Sequence, residues 1–261
     1  MRKLLIPIIS LLFFFFACDM AKESTQSDSA TPMQEEINPA AEGFDMAGSD
    51  KEAIAIADEV MEAMGGRKAY DNTRFLSWNF FGFRKHVWDK HSGDVRIENV
   101  RNGELFLMNI NSMKGRAFVK GEEITEADSL GKMMEKAKSA WINDAYWLVM
   151  PFKLKDSGVT LTYAGEDTTQ SGATADVLEL VFKEVGVTPQ NKYQVWVEKE
   201  PRLITQWSYY PTQEDAEPRF ITPWINYEKH GDILISGDRG ERKLSEISVS
   251  QEMDAAIFTQ P

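Results

Sequence analysis

Helical spacing governs two stretches of this chain, and alternation governs most of the rest. Between residues 52 and 64, Ile56, Val60, Met61 and Met64 share one helical face, and Gly65-Gly66 supplies a stop. A short helical turn is expected at 67–72. Residues 75–83 alternate and carry Phe75, Trp78, Phe80, Phe81 and Phe83, a pattern that runs on towards Trp88 and reads as one strand. Strands follow at 95–100, 104–111 and 115–120, the first two joined by the hairpin signal Asn102-Gly103. Thr125, with Asp128 in the first turn, then opens a long helix over 126–150. Leu130, Met133, Met134, Ala137, Trp141, Ala145 and Leu148 form its apolar stripe, and Pro151 ends it. Its tail, 141–150, is apolar on more than one face, so it is buried on two sides or covers something. Seven more strands are expected at 159–164, 176–182, 192–198, 203–210, 220–227, 233–236 and 243–249, with Gly, Pro and Asp turns between them. Strands at roughly 8–12-residue spacing point to an antiparallel sandwich or barrel rather than βαβ units.

The first eighteen residues follow another logic. Arg2 and Lys3 precede an apolar run, Leu4 to Phe16, broken only by Pro7 and Ser10. That run is shorter than the roughly 20 residues a permanent membrane helix needs, and it has the layout of an export signal. Phe15-Phe16-Ala17-Cys18 resembles the lipobox of bacterial lipoproteins. Cys18 is the only cysteine, so no disulfide forms within the chain. Asp19 beside it would raise a thiol pKa, which disfavours a redox or catalytic role and leaves lipidation, palmitate-type acylation, as the expectation. Two or more acyl chains hold a protein stably on a bilayer. The expected organisation is a signal peptide at 1–17, lipidated Cys18 with a disordered tether to residue 50, and one domain over 51–261. Phe44 is the only aromatic residue between 19 and 50.

Charge narrows the partners. The formal net charge is −12, and removal of residues 1–17 takes away Arg2 and Lys3 and no acid, leaving −14. An acidic body argues against a nucleic-acid partner and against electrostatic attraction to anionic lipid, so contact with the membrane is expected through Cys18 alone.

Catalytic constellations are scarce. There is no Gly-x-Ser-x-Gly and no phosphate loop. Ser129-Leu130-Gly131-Lys132 matches Ser-x-x-Lys, but its partner motifs are missing. His86 and His91 are the weak metal candidates, flanked by Asp89 and Asp94, and their spacing is not that of a known metal motif. No cofactor is expected and the chain reads as a non-enzyme. The aromatic and Met content is more informative. Most of the seven tryptophans are core by expectation. An apolar cavity lined by Trp78, Phe80, Phe106, Met108, Met134, Trp141, Trp147 and Met150 would suit a lipid or acyl chain.

The lipobox, the tether, the helix ending in Met64-Gly65-Gly66, the aromatic strands, the central helix and the later strands together resemble the lipoprotein-carrier fold of the LolA/LolB type. Residues 146–154 also resemble a stretch in lipoproteins of Bacteroidota. The resemblance implies a mainly β (α+β) fold: an unclosed antiparallel half-barrel of about ten or eleven strands, lidded by two or three helices. It implies a lipid, acyl chain or acylated protein as ligand, and an envelope location. Asp19 after Cys18 is the inner-membrane signal of the enterobacterial sorting rule, whereas the family resemblance favours the outer membrane. Leaflet, periplasmic or surface orientation, and oligomeric state stay open. The alternatives are an envelope interaction or structural lipoprotein with a packed core, and an enzyme acting on envelope glycans or lipids.

Overall fold

The computed structural model describes residues 37–183 and 185–261. The export signal, Cys18 and the tether up to residue 36 lie outside the described residues. The first helix, α1 (Lys51–Ala63), buries Ile56, Val60 and Met61 as its spacing requires. Gly65 follows at φ 109°, and a Cβ there would stand 2.3 Å from the Asp232 carbonyl oxygen. Only glycine lets the helix end this close to a neighbouring turn. A one-and-a-half-turn helix, α2 (Arg67–Asn72), leads into the strands.

Six strands come before the long helix: β1 (Phe75–Phe80), β2 (Arg84–Asp89), β3 (Asp94–Asn99), β4 (Glu104–Asn109), β5 (Lys114–Val119) and the two-residue β6 (Glu122–Glu123). The helix α3 (Ala127–Val149) passes directly into a 3-10 turn, Met150–Lys153. Eight strands follow: β7 (Val159–Thr168), β8 (Thr174–Phe182), β9 (Lys192–Glu198), β10 (Ile204–Tyr210), β11 (Phe220–Pro223), β12 (Ile225–His230), β13 (Ile233–Arg239) and β14 (Arg242–Ser250). They form two open antiparallel sheets, one of nine strands in the order β12-β13-β14-β1-β2-β3-β4-β5-β6 and one of five in the order β11-β10-β9-β8-β7. The fold is mainly antiparallel β, unclosed, with helices against the sheets, as the sequence implies.

Two expected single strands are in fact pairs. Residues 75–88 turn back at Phe81-Gly82, where both residues are left-handed (φ 52° and 74°) and the Phe83 N–H donates to the Phe80 carbonyl at 3.1 Å. Alternation has the same period on both arms of a hairpin, so it conceals the reversal. Residues 220–227 divide at the fully buried Trp224, whose N–H donates to Thr205 at 2.8 Å. There the chain leaves the small sheet and enters the large one. The helix cap also differs: Glu126, rather than Thr125, accepts from the N–H groups of Asp128 and Ser129 at 2.9 and 2.7 Å.

Residues 37–50, placed by the sequence in a disordered tether, belong to the folded body. The N–H groups of Asp45 and Asp50 donate to Val159 and Leu161 on β7 at 3.0 and 2.9 Å, and Phe44 is only 9% exposed. The segment covers an edge that would otherwise present unpaired strand groups. The main core lies between the two sheets, α1 and the tail of α3; a smaller one lies between Met134 and Ala137 of α3 and the inner face of β3–β5. No helix among the described residues is long and apolar enough to cross a membrane.

Candidate ligand-binding cleft

The tail of α3 presents two different faces to the two sheets. On the large sheet, strand register puts Trp78, His86, Ile97, Phe106 and Ala117 in one row across the inner face, with Arg84 two residues from His86. This row meets Asp144 of α3, whose side chain is 0% exposed. Arg84 grips the carboxylate with two bonds, Nε to Oδ2 at 2.5 Å and Nη2 to Oδ1 at 2.6 Å. His86 Nε2 lies 2.7 Å from Oδ2, and its ring stacks on Trp78 at 4.5 Å. Burial opposes the Asp144 charge, but the bonds from Arg84 and His86 win and hold its pKa below the ordinary value. Burial pushes the His86 pKa down and outweighs the hydrogen bond and charge of Asp144, which act to raise it, with the Arg84 charge adding to the depression. His86 is therefore neutral at neutral pH and donates from Nε2. This clamp fixes α3 to β2.

The opposite face looks at the small sheet. Its inner surface is aliphatic at one end, with Leu161, Leu178 and Val195 packed under Leu148, Val149 and Met150. Towards the other end it becomes aromatic. Phe182, Tyr193, Trp207, Tyr209 and Phe220 lie on the same face by register. There, under Ile142, Asn143, Tyr146 and Trp147, a cleft of about 300 Å³ stays open. Trp207 is its buried floor, and the rings around it are half-buried. Trp147 packs edge-on against Trp207 at 4.8 Å and Tyr146 leans on Tyr193 at 5.4 Å. Burial raises the pKa of Tyr146 far above the phenol range and that of Tyr193 to about 12, so both stay neutral.

Trp147 is also the divider between this cleft and two neighbouring hollows. One, of about 550 Å³, is lined by Phe80, Phe81, Phe83, Arg84, Arg101, Asn143 and Arg242 besides Trp147. The other, of about 440 Å³, runs past Phe220, Arg239 and Arg242. Phe81, in the wall of the first hollow, holds a left-handed conformation that costs a bulky residue roughly 1–2 kcal/mol. Its ring packs on Phe80 at 4.1 Å and edge-on to Trp147 at 5.2 Å.

Of the eight residues the sequence singled out, Trp147 and Phe80 line these spaces and Trp141 lines a smaller hollow of about 180 Å³ that shares Ile142, Tyr146 and Phe182 with the cleft. Trp78 and Met150 sit in the main core, and Phe106, Met108 and Met134 in the smaller one, all at most 3% exposed. Alternation and helical spacing mark a residue as inward-facing; they do not tell whether it meets side chains or space. His86 and His91 do not converge: one is locked in the clamp, while the other is exposed and points Nε2 at the Asp71 carbonyl, 3.1 Å away. Among the described residues no group of three or more His, Cys, Asp or Glu side chains is arranged to hold a metal.

Sequence reasoning missed the aromatic wall of β8–β11 and the arginines. The first carried a signal: Tyr193, Trp207, Tyr209 and Phe220 fall at alternating positions of adjacent strands, which aligns them once register is known. Asp144 carried one too. It lies three residues after Trp141 and four before Leu148, on the buried stripe, so it requires a partner.

Together these features define an open two-sheet β protein with a clamped helix roofing an aromatic cleft. The chain is similar in structure to a DUF1329 family protein from Desulfovibrio piger, with 15% identity, 79% of this chain and 96% of that chain covered, and a TM-score of 0.42. It is also similar to a structure described as an outer membrane lipoprotein-sorting protein domain from Vibrio parahaemolyticus, with 9% identity, 80% and 97% coverage, and a TM-score of 0.41. No protein-family model matches the chain. No curated protein matches it either.

Proposed function

We propose that this chain is a non-enzymatic, lipid-anchored protein of the cell envelope that holds a lipid or acyl chain in the aromatic cleft under α3. The observation that carries the reading is the cleft itself. Five large rings from the small sheet and two from α3 converge on a space of about 300 Å³ that side chains leave unfilled, at the lower end of ordinary ligand sites. Much of the space between the sheets is filled, with Trp78, Trp224 and Met150 fully buried, so the ligand occupies the aromatic end rather than a hollow half-barrel. Anchoring through Cys18 keeps such a ligand near the membrane it comes from.

The test uses the chain from residue 19 onward, purified and extracted with organic solvent for mass spectrometry. Bound lipid, or dodecanoate titration that shifts the emission of Trp147 and Trp207, is expected. Trp147→Ala should weaken that binding several-fold. A protein that is empty and leaves its emission unchanged would instead be an interaction lipoprotein with a packed core.

A further inference from the structure

The aromatic cleft opens beside an unusual cluster of cations for a chain of net charge −12. Arg84, Arg101 and Arg242 line the adjoining hollow, each over a phenylalanine: Arg84 4.6 Å from the Phe83 ring centre, Arg101 4.5 Å from the same ring, Arg242 5.7 Å from Phe81. Arg84 is spent on Asp144. Arg101 and Arg242 have no carboxylate within ion-pair distance among the described residues, and both are exposed.

A fourth guanidinium reinforces the field. Arg239, 3% exposed, lines the third hollow next to Arg242 and stacks 3.3 Å from the centre of the Trp224 ring. It donates to the Trp147 carbonyl at 2.6 Å and the Ser236 carbonyl at 3.0 Å, and no carboxylate among the described residues lies within ion-pair distance of it. Its Nε has no hydrogen-bond partner among the described residues. Burial lowers its pKa to about 9, so it is charged at neutral pH. Among the described residues the only acid lining these two hollows is Glu241. Asp238 is the acid that acts on Arg239 from nearby, whereas Arg101 and Arg242, exposed beside apolar rings with no ion-pair partner among the described residues, favour an anion.

We propose that the ligand is an anionic amphiphile, its acyl chain lying along Trp147 in the aromatic cleft and its acid headgroup held between Arg101 and Arg242. This rests on the cleft's reading as an acyl site and adds the headgroup. A carboxylate and a phosphate monoester share the needed chemistry; a neutral ester head does not, because it leaves both guanidinium groups without a charged acceptor.

The test compares dodecanoate, dodecyl phosphate and methyl dodecanoate, each below its micellar concentration, by tryptophan emission and calorimetry on the chain from residue 19. At least one anion is expected to bind about tenfold tighter than the ester. The tighter anion tells a fatty-acid carboxylate from a phosphate head. Arg101→Gln with Arg242→Gln, at an unchanged urea midpoint, should bring that anion down to the ester's affinity. Equal affinity for ester and both anions in the unsubstituted chain would overturn the headgroup assignment and leave the acyl reading standing. A preference that survives the double substitution would also overturn it. Binding of none of the three would overturn both.

Discussion

Replacing Asp144 with alanine tests the clamp that sets the roof of the cleft. The substitution removes a carboxylate that is 0% exposed and accepts four hydrogen bonds, two from Arg84, one from His86 and one from Asn143 at 2.8 Å. Asn143 is exposed and recovers its bond from water. Arg84 is 22% exposed and partly relaxes towards solvent, whereas His86, 1% exposed, does not. Breaking a buried ion pair from one side costs about 3–5 kcal/mol. The partial access of Arg84 puts this case near the lower end, about 3 kcal/mol, or a melting temperature lower by roughly 6–12 °C for a body of this size. Arg84→Met strands the carboxylate and should cost at least as much. The double substitution Asp144→Ala with Arg84→Met removes both charges and should be much less damaging than the sum of the singles, with a coupling of about 2 kcal/mol or more. Urea unfolding of the three variants and the unsubstituted chain gives the cycle. Additive losses, or an Asp144→Ala loss below about 1 kcal/mol, would refute the clamp as a stabilising ion pair.

Acid should destabilise the protein in two stages. The His86 pKa is depressed by burial, so the folded state resists a proton that the unfolded chain accepts; its contribution is present above 6.5 and is lost as pH falls towards the folded value. Asp144, Asp89 and Asp176 are held below the ordinary 3.8 by their hydrogen bonds against the opposing effect of burial, so theirs is lost only below that. Urea midpoints should therefore begin to fall below about pH 6.5, and His86→Gln should flatten the stretch from pH 7 to 5; a flat wild-type profile there would contradict the assignment. Phe44→Ala should destabilise the body by about 3 kcal/mol and open residues 37–50 to limited proteolysis; a variant as resistant as the parent would mean that the segment is held by its backbone bonds alone.

The helices were legible because each carries its own punctuation: Gly65-Gly66 behind α1, Pro151 behind α3, and a stripe at helical spacing along both. Strand positions were legible for a similar reason. What alternation leaves out is direction and partner. The reversal at Phe81-Gly82 and the change of sheet at Trp224 preserve the period of two, so each hid inside one expected strand. The same gap separates the predicted lining residues from the cleft. Met108 and Met134 look as cavity-like in sequence as Trp147, but Met108 faces α3 across the smaller core, whereas Trp147 faces a sheet end where the aromatic wall stands back. Phe44 was visible as a lone aromatic in a polar segment. Its burial depends on β7, whose edge exists only once the sheet has formed.

The position of Asp144 links the clamp to the cleft. It immediately follows Asn143 of the roof and lies within three residues of both Tyr146 and Trp147, less than one helical turn. A carboxylate held by a two-pronged guanidinium allows little rotation of the helix about its axis. With α3 pinned on the large sheet, Tyr146 and Trp147 are held against Tyr193 and Trp207 on the small one. The helix cannot settle onto the aromatic wall without dragging Asp144 away from Arg84 and His86. The polar pair inside the core thus does what further apolar packing would not: it fixes the rotation of the roof and keeps the space beneath it open. Arg84 lines the cationic hollow and grips Asp144 at the same time, so the clamp and that hollow share one residue.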